Sequence, residues 1–182
     1  ALEPRFRKRT GMAEDAGRGA REHQSAAACG VAAAWAEYGT YDVLVLAEDF
    51  ETGSISPESR RRLSESDQVA FVVPILTRYS GSPDTPVHFY TGVGAFPTGQ
   101  YGLRLLSGRL PGPGETVLPD WLAERMGAEL GDSVTLPFPE GSLHLTLVGH
   151  APVGNATAFF DYEWLAERLG VPGPPGLLVG LK

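Results

Sequence analysis

The chain has 182 residues, enough to bury a core of its own as one or two modules. Its 22 acidic and 15 basic side chains leave a formal charge of -7, which opposes sequence-independent nucleic-acid binding, since neutralising phosphates takes a surplus of Lys and Arg. The single cysteine, Cys29, excludes an intramolecular disulfide and leaves the compartment open.

Residues 1–22 are charged and glycine-containing and read as a mobile arm. Arg5, Arg7, Lys8 and Arg9 ahead of the apolar Ala26–Ala36 run imitate a signal peptide, but Glu14, Asp15, Arg18, Arg21 and Glu22 interrupt that layout. The run is also shorter than the roughly 18 apolar residues of a membrane span. Glu22 to Tyr38 is alanine-rich and predicts a helix capped at Gly39. Asp42 to Ala47 is a continuous apolar run, the pattern of a strand covered on both faces. Ser56 followed by Pro57 starts a short charged helix through Ser66, and Gln68 to Leu76 returns as a second apolar strand. Strand, helix and strand of these lengths form a βαβ unit, with its strands adjacent or one strand apart.

From Arg78 the texture becomes β-rich. Val87–Thr91, Tyr101–Leu106 and Glu115–Leu118 predict short strands, and a helix Trp121–Met126 stops at Gly127. Asp132–Pro137 and Ser142–His150 predict a hairpin, with Leu143, Leu145 and Leu147 on a buried face and His144, Thr146 and Val148 on a mostly polar one. Tyr162–Leu169 reads as a last helix, and Leu177–Leu181 as a strand on a sheet edge, open to a partner. The organisation that follows is an arm at 1–22, a helix and βαβ unit at 23–77, a β-rich part at 78–176 and the start of a further unit at 177–182. The fold class is α+β (α/β).

No phosphate loop, dinucleotide fingerprint, HExxH, CxxC or GxSxG element is present. Gly92, Gly94 and the glycines of 108–114 do not open a helix after an apolar strand, so they read as turn residues. His88, His144 and His150 fall in predicted strands and could converge with Asp132 as a zinc site, although nothing in the sequence shows that they do. Arg60, Arg61 and Arg62 stand among Glu58, Glu65 and Asp67 and read as a solvated helix face. Phe159 and Phe160, near Tyr162 and Trp164, read as core. The sequence thus assigns no catalytic, cofactor-binding or metal-ligating residue.

One stretch carries more. It runs through Gly108-Arg109-Leu110-Pro111, Gly114-Glu115-Thr116-Val117-Leu118, Leu122 to Gly127, Leu130-Gly131-Asp132-Ser133-Val134-Thr135-Leu136 and Leu145-Thr146-Leu147-Val148-Gly149. It resembles the extracytoplasmic core domain of FtsX/MacB/LolC-like ABC-transporter permeases, whose pattern is a "GR.P..GE.vL...lA..lg...GD.v.l" run followed by an "l.VvGi" strand. Tyr38–Val45 and Val69–Pro74 resemble that family's first porter-type unit. The resemblance implies a porter-like βαβ subdomain with an inserted β-rich subdomain, on the extracytoplasmic face of a bacterial cell membrane. It further implies a non-catalytic domain that couples cytoplasmic ATP hydrolysis to substrate export, lipoprotein handling or cell-wall regulation. The implied partners are the transmembrane part of the permease, a second permease copy, an ABC ATPase subunit and an extracytoplasmic protein or lipoprotein. No cofactor and no nucleic acid is implied.

Three rival readings come from other classes. Val117–Leu136 also resembles the run of small swapped-hairpin or double-psi barrel modules, some of which bind DNA; that reading predicts a compact basic dimer, against the charge found. An enzyme would assemble its site from scattered groups such as Asp132, His144, His150 and Asp161. A ligand-binding β module would use an edge strand and exposed aromatics.

Overall fold

The computed structural model describes residues 41–48, 53–79, 87–96, 103–138, 141–152 and 156–182. The predicted arm, the alanine-rich helix with Cys29 and Gly39, and the tip of the predicted hairpin turn lie outside the described residues. The first strand, β1 (Val43–Leu46), leads to α1 (Pro57–Ser64), whose start is set by Ser56: its hydroxyl accepts from the Ser59 N–H at 3.1 Å, and Pro57 takes a position that needs no donor. Glu58 binds both Arg61 and Arg62, and Glu65 binds Arg61 at 2.7 Å, so the basic run is a self-paired exposed face.

The chain continues through β2 (Val69–Tyr79) and β3 (Phe89–Val93), which form an antiparallel pair with Thr77 opposite Thr91, their buried hydroxyls 3.1 Å apart. After the two-residue β4 (Ser107–Gly108) come β5 (Glu115–Pro119) and α2 (Asp120–Met126), which ends where Gly127 turns left-handed at φ 64. The predicted hairpin is β6 (Ser133–Phe138) and β7 (Gly141–Ala151), paired antiparallel from Ser133 opposite Thr146 to Phe138 opposite Gly141. Then follow β8 (Thr157–Asp161), α3 (Tyr162–Arg168) and β9 (Gly176–Leu181).

All nine strands join one mixed sheet in the order β1-β9-β2-β3-β8-β5-β7-β4, with β6 also on β7. β1 and β2 are both antiparallel to β9 and hence parallel to each other, one strand apart: the expected βαβ unit, with the last strand inserted into it. β9 is therefore internal, not the open edge that its apolar composition suggested. Among the described residues β1 stands at one edge of the sheet, and it is only half-buried instead of covered on both faces, with Val43 among the exposed apolar residues. Phe71 lies flat over Gly180, where a Cβ would come within 1.9 Å of its ring, so glycine is what lets β2 and β9 close there. The sheet path does not return on itself among the described residues, which sets aside the small closed barrel.

Apolar residues fill both faces. One face packs Leu76, Tyr90, Leu118, Leu136, Leu145, Leu147 and Phe160 beneath α2 and α3, which contribute Leu122 and Leu165. The other packs Phe71, Val73, Ile75, Val117, Val148, Phe159 and Leu178. A smaller group under α1 holds Ile55, Leu177 and Val179. Phe159, Phe160 and Tyr162 are buried, as read from the sequence.

Two local expectations fail at β7. Val148 does face away from Leu147, as expected, but that face is covered there by the second core instead of being polar. The one-residue slip of the β5–β7 register between Thr116 and Val117 brings Ala151, which strict alternation would place with Leu147, into the same core. The strand expected over 101–106 shrinks, among its described residues, to an isolated bridge at Leu103, and pairing resumes only at Ser107 and Gly108. Here Gly108 adopts φ 82, with its absent Cβ only 2.2 Å from the Val148 carbonyl oxygen, and a Cβ on Gly149 would meet the Arg109 carbonyl oxygen at 2.7 Å and Val117 Cγ2 at 2.9 Å. Two glycines admit β4 onto β7. Replacing Gly149 by Ala is expected to cost about 1–3 kcal/mol through backbone overpacking, read as a lowered urea midpoint; an unchanged midpoint would show that β4 does not press on β7.

Candidate functional site

The residues of the sequence run converge on β7. β5 occupies one of its edges; β6 and then β4 share the other. Between β4 and β5 the chain makes a glycine-proline loop, closed by a bidentate ion pair: Arg109 Nη1 lies 2.6 Å from Glu115 Oε2 and Nη2 lies against Oε1. Glu115 also accepts from the Gly112 N–H at 2.9 Å. The Arg109 hydrogen bond first, then the Gly112 N–H, hold the Glu115 carboxyl below the usual glutamate range, with burial opposing them. The same pair raises Arg109.

A second lock is the turn before β6. Gly131 at φ 95 donates to the Leu147 carbonyl at 2.8 Å, Leu147 donates to the Asp132 carbonyl at 2.9 Å, and the Asp132 carboxylate accepts from the Glu129 N–H at 2.8 Å. Asp132 thus serves as a turn cap. A third contact ties β3 to β6: the Tyr90 hydroxyl donates to the Pro137 carbonyl, and burial raises this phenol.

The remaining sequence candidates stay apart. His144 sits on the exposed face of β7 with its Nδ1 3.0 Å from Thr135 Oγ1, His88 is exposed just before β3, and Asp161 caps α3 by accepting from the Trp164 N–H at 2.9 Å. No group of three metal-ligating side chains occurs among the described residues. Gly92 lies within β3 where α3 crosses it, with Tyr162 Cα 3.2 Å from a virtual Cβ, and Gly94 abuts Pro74. Both are close-approach positions, not phosphate cradles.

His150 is the exception in having polar company that the sequence could not show. Its Nδ1 is 3.2 Å from Asp120 Oδ1 at the start of α2 and 3.3 Å from Ser107 Oγ on β4. Both contacts fall on the same ring nitrogen, so the imidazole cannot relay a proton from the serine to the aspartate as a nucleophilic triad requires. His150 Nε2 is buried without a partner among the described residues. Beside it opens a shallow depression of about 420 Å³, lined by Asp120, Glu124, Glu129, Leu130 and His150.

No protein-family model and no curated protein matches the chain. Among solved structures, the periplasmic region of MacB from Actinobacillus actinomycetemcomitans aligns over 76% of this chain and 73% of that one, with a TM-score of 0.54 at 14% identity. The chain has the fold of that MacB region. The extracellular domain of the noncanonic ABC-type transporter YknZ from Gram-positive bacteria aligns over 80% of this chain and 82% of that one, at 14% identity and a TM-score of 0.46. In this MacB-type mixed α+β fold, the two loop locks and the glycines at 108 and 149 all fasten the outer strands of the β-rich half.

The depressed Glu115 value makes the first lock pH-dependent. A carboxyl whose folded-state pKa is lowered contributes stability in full above the ordinary glutamate range and loses it as pH falls through the folded value. Glu115→Gln is therefore expected to destabilise the chain at neutral pH, with the gap between the two urea midpoints shrinking below about pH 4.3 and closing in stronger acid. A gap that stays constant into strong acid would show that the ion pair is not its source.

Proposed function

We propose that the chain is an extracytoplasmic domain of an ABC-transporter permease, acting as a mechanical and recognition element and not as a catalyst. One coincidence carries the reading. The positions that carry the sequence resemblance, Gly108, Arg109, Gly114, Glu115, Gly131, Asp132 and Gly149, are the ones that lock strands onto β7, in a chain whose fold is that of the MacB periplasmic region. Residues that only shape loops have no reason to match a pattern unless the scaffold is shared.

On this reading the domain stands on the outer face of a bacterial cell membrane and transmits work from an ATPase on the inner face to substrate export, lipoprotein handling or cell-wall regulation. Its partners are the transmembrane part of the same permease, a second permease copy, the ATPase subunit and an extracytoplasmic protein or lipoprotein. The split into a porter-like βαβ part and an inserted β-rich part belongs to the same proposal. No helix among the described residues is long and apolar enough to cross a membrane.

The flanking coding sequence tests this first: hydrophobic spans around the domain and a neighbouring ATPase gene are expected. The full-length polypeptide, solubilised in detergent, is then expected to retain that ATPase through purification and to change its turnover. A reading frame without any hydrophobic span, or a purified chain that turns over a substrate unaided, overturns the proposal.

A further inference from the structure

The chain enters and leaves the described core at one end of the sheet, on neighbouring strands. The Leu181 N–H donates to Asp42 Oδ2 at 2.7 Å, the Asp42 N–H to the Val179 carbonyl at 3.0 Å, and the Lys182 N–H to the Gln68 carbonyl at 3.1 Å. From there β1 and β9 run antiparallel, Val43 opposite Val179 through Leu46 opposite Gly176. A pull that separates residues 42 and 182 acts across this ladder, starting at its first pair. Hydrogen bonds of an antiparallel pair lie perpendicular to the strands, so such a load falls on them one after another. A load along the strands is shared by all of them.

Of the two strands, β1 is the weaker. β9 is held on both sides, by β1 and β2, whereas β1 has β9 as its one strand partner among the described residues. No residue of β1 is a buried member of any core: Leu44 rests partly buried against one, as does Leu46, Val45 against another, and Val43 is exposed. Every other strand longer than two residues sends buried side chains into a core. Few buried apolar contacts mark a segment that opens before the rest. At the far end Ala47 donates to the Pro175 carbonyl at 2.7 Å and Ile55 to the Pro174 carbonyl at 2.8 Å. Ile55 belongs to the core under α1, and the capped start of α1 follows at Ser56.

We infer that β1 is a load-releasable strap: separating the two ends of the core peels it from β9, from Asp42 toward Ala47, and the peeling stops at Ile55. The connection lengthens while the two larger cores stay closed, so the strap limits the force that the rest of the sheet must carry. When the load falls, the same register re-forms, because Val43 to Leu46 remain tethered beside their partners on β9. The inference rests on the permease reading only for the source of the load.

The test pulls the full 182-residue chain in optical tweezers through thiol-linked handles, in a Cys29→Ser background, in two geometries. Handles at Thr40→Cys and Lys182→Cys load the β1–β9 ladder across its strands; handles at Glu48→Cys and Lys182→Cys load it along them. In the first geometry a reversible lengthening on the order of 40 Å, the reach of residues 42–54 drawn out, is expected before the core unfolds. In the second that step is absent and the first yielding force is several times higher. Without load, hydrogen exchange of the unsubstituted chain is expected to be faster at the β1 amides than at those of β2. Unfolding of the whole core in one step in the first geometry overturns the inference, as does a first step that frees β9. Equal yielding forces in the two geometries, or β1 amides that exchange as slowly as those of β2, overturn it too. The handles supply the load, so these outcomes are independent of the permease reading, which the flanking coding sequence tests by itself.

Discussion

Nine strands behave as one sheet because β5 and β8 meet, and they meet at a single register pair, Val117 opposite Phe159. The Thr116 hydroxyl adds a buried hydrogen bond to the Phe159 carbonyl at 3.1 Å. A hydrogen bond or two, each worth about 1 kcal/mol net, would make a weak seam. Packing is what closes it: Val117 and Phe159 sit in one core while Leu118, Ala158 and Phe160 sit in the other. Fully burying one such larger side chain contributes about 1.5–3 kcal/mol. The α/β half and the β-rich half are therefore joined through side chains on both faces, and separating them exposes both cores at once.

From that seam outward, β7 organises the β-rich half. Its inner edge takes β5, its outer edge takes β6 and β4, and its two faces serve two cores, with Leu147 in one and Val148 in the other. The Arg109–Glu115 clasp and the Gly131–Asp132 turn hold the connecting loops against it.

Much of the local structure was legible because its causes are local. Ser56-Pro57 starts a helix, Gly127 stops one, and Leu143, Leu145 and Leu147 alternate toward the core, each for reasons contained within a few residues. What escaped was set by distant partners. The covering of Val148 by a second core depends on β5 and its neighbours, the seating of β4 on the contact between Gly108 and Gly149, and the internal place of β9 on strands more than a hundred residues upstream. The clasp could have been suspected, since opposite charges six residues apart bracket a Gly-Pro-Gly bend. The corner at His150 could not, because Ser107, Asp120 and Leu130 reach it from three separate connections.

The insertion of β9 between β1 and β2 orders events in time. Among the described residues, β1 and β2 have no ladder with each other; β2 can pair with β3 once residues 89–93 are made, but β1 gains its partner only when residues 176–181 arrive. During synthesis, β1 must wait, apolar and unpaired, while strands whose partners lie closer in sequence already have what they need to form. The exposed charges of α1, already paired among themselves, then follow the waiting strand in sequence and help keep a nascent chain in solution until β9 arrives.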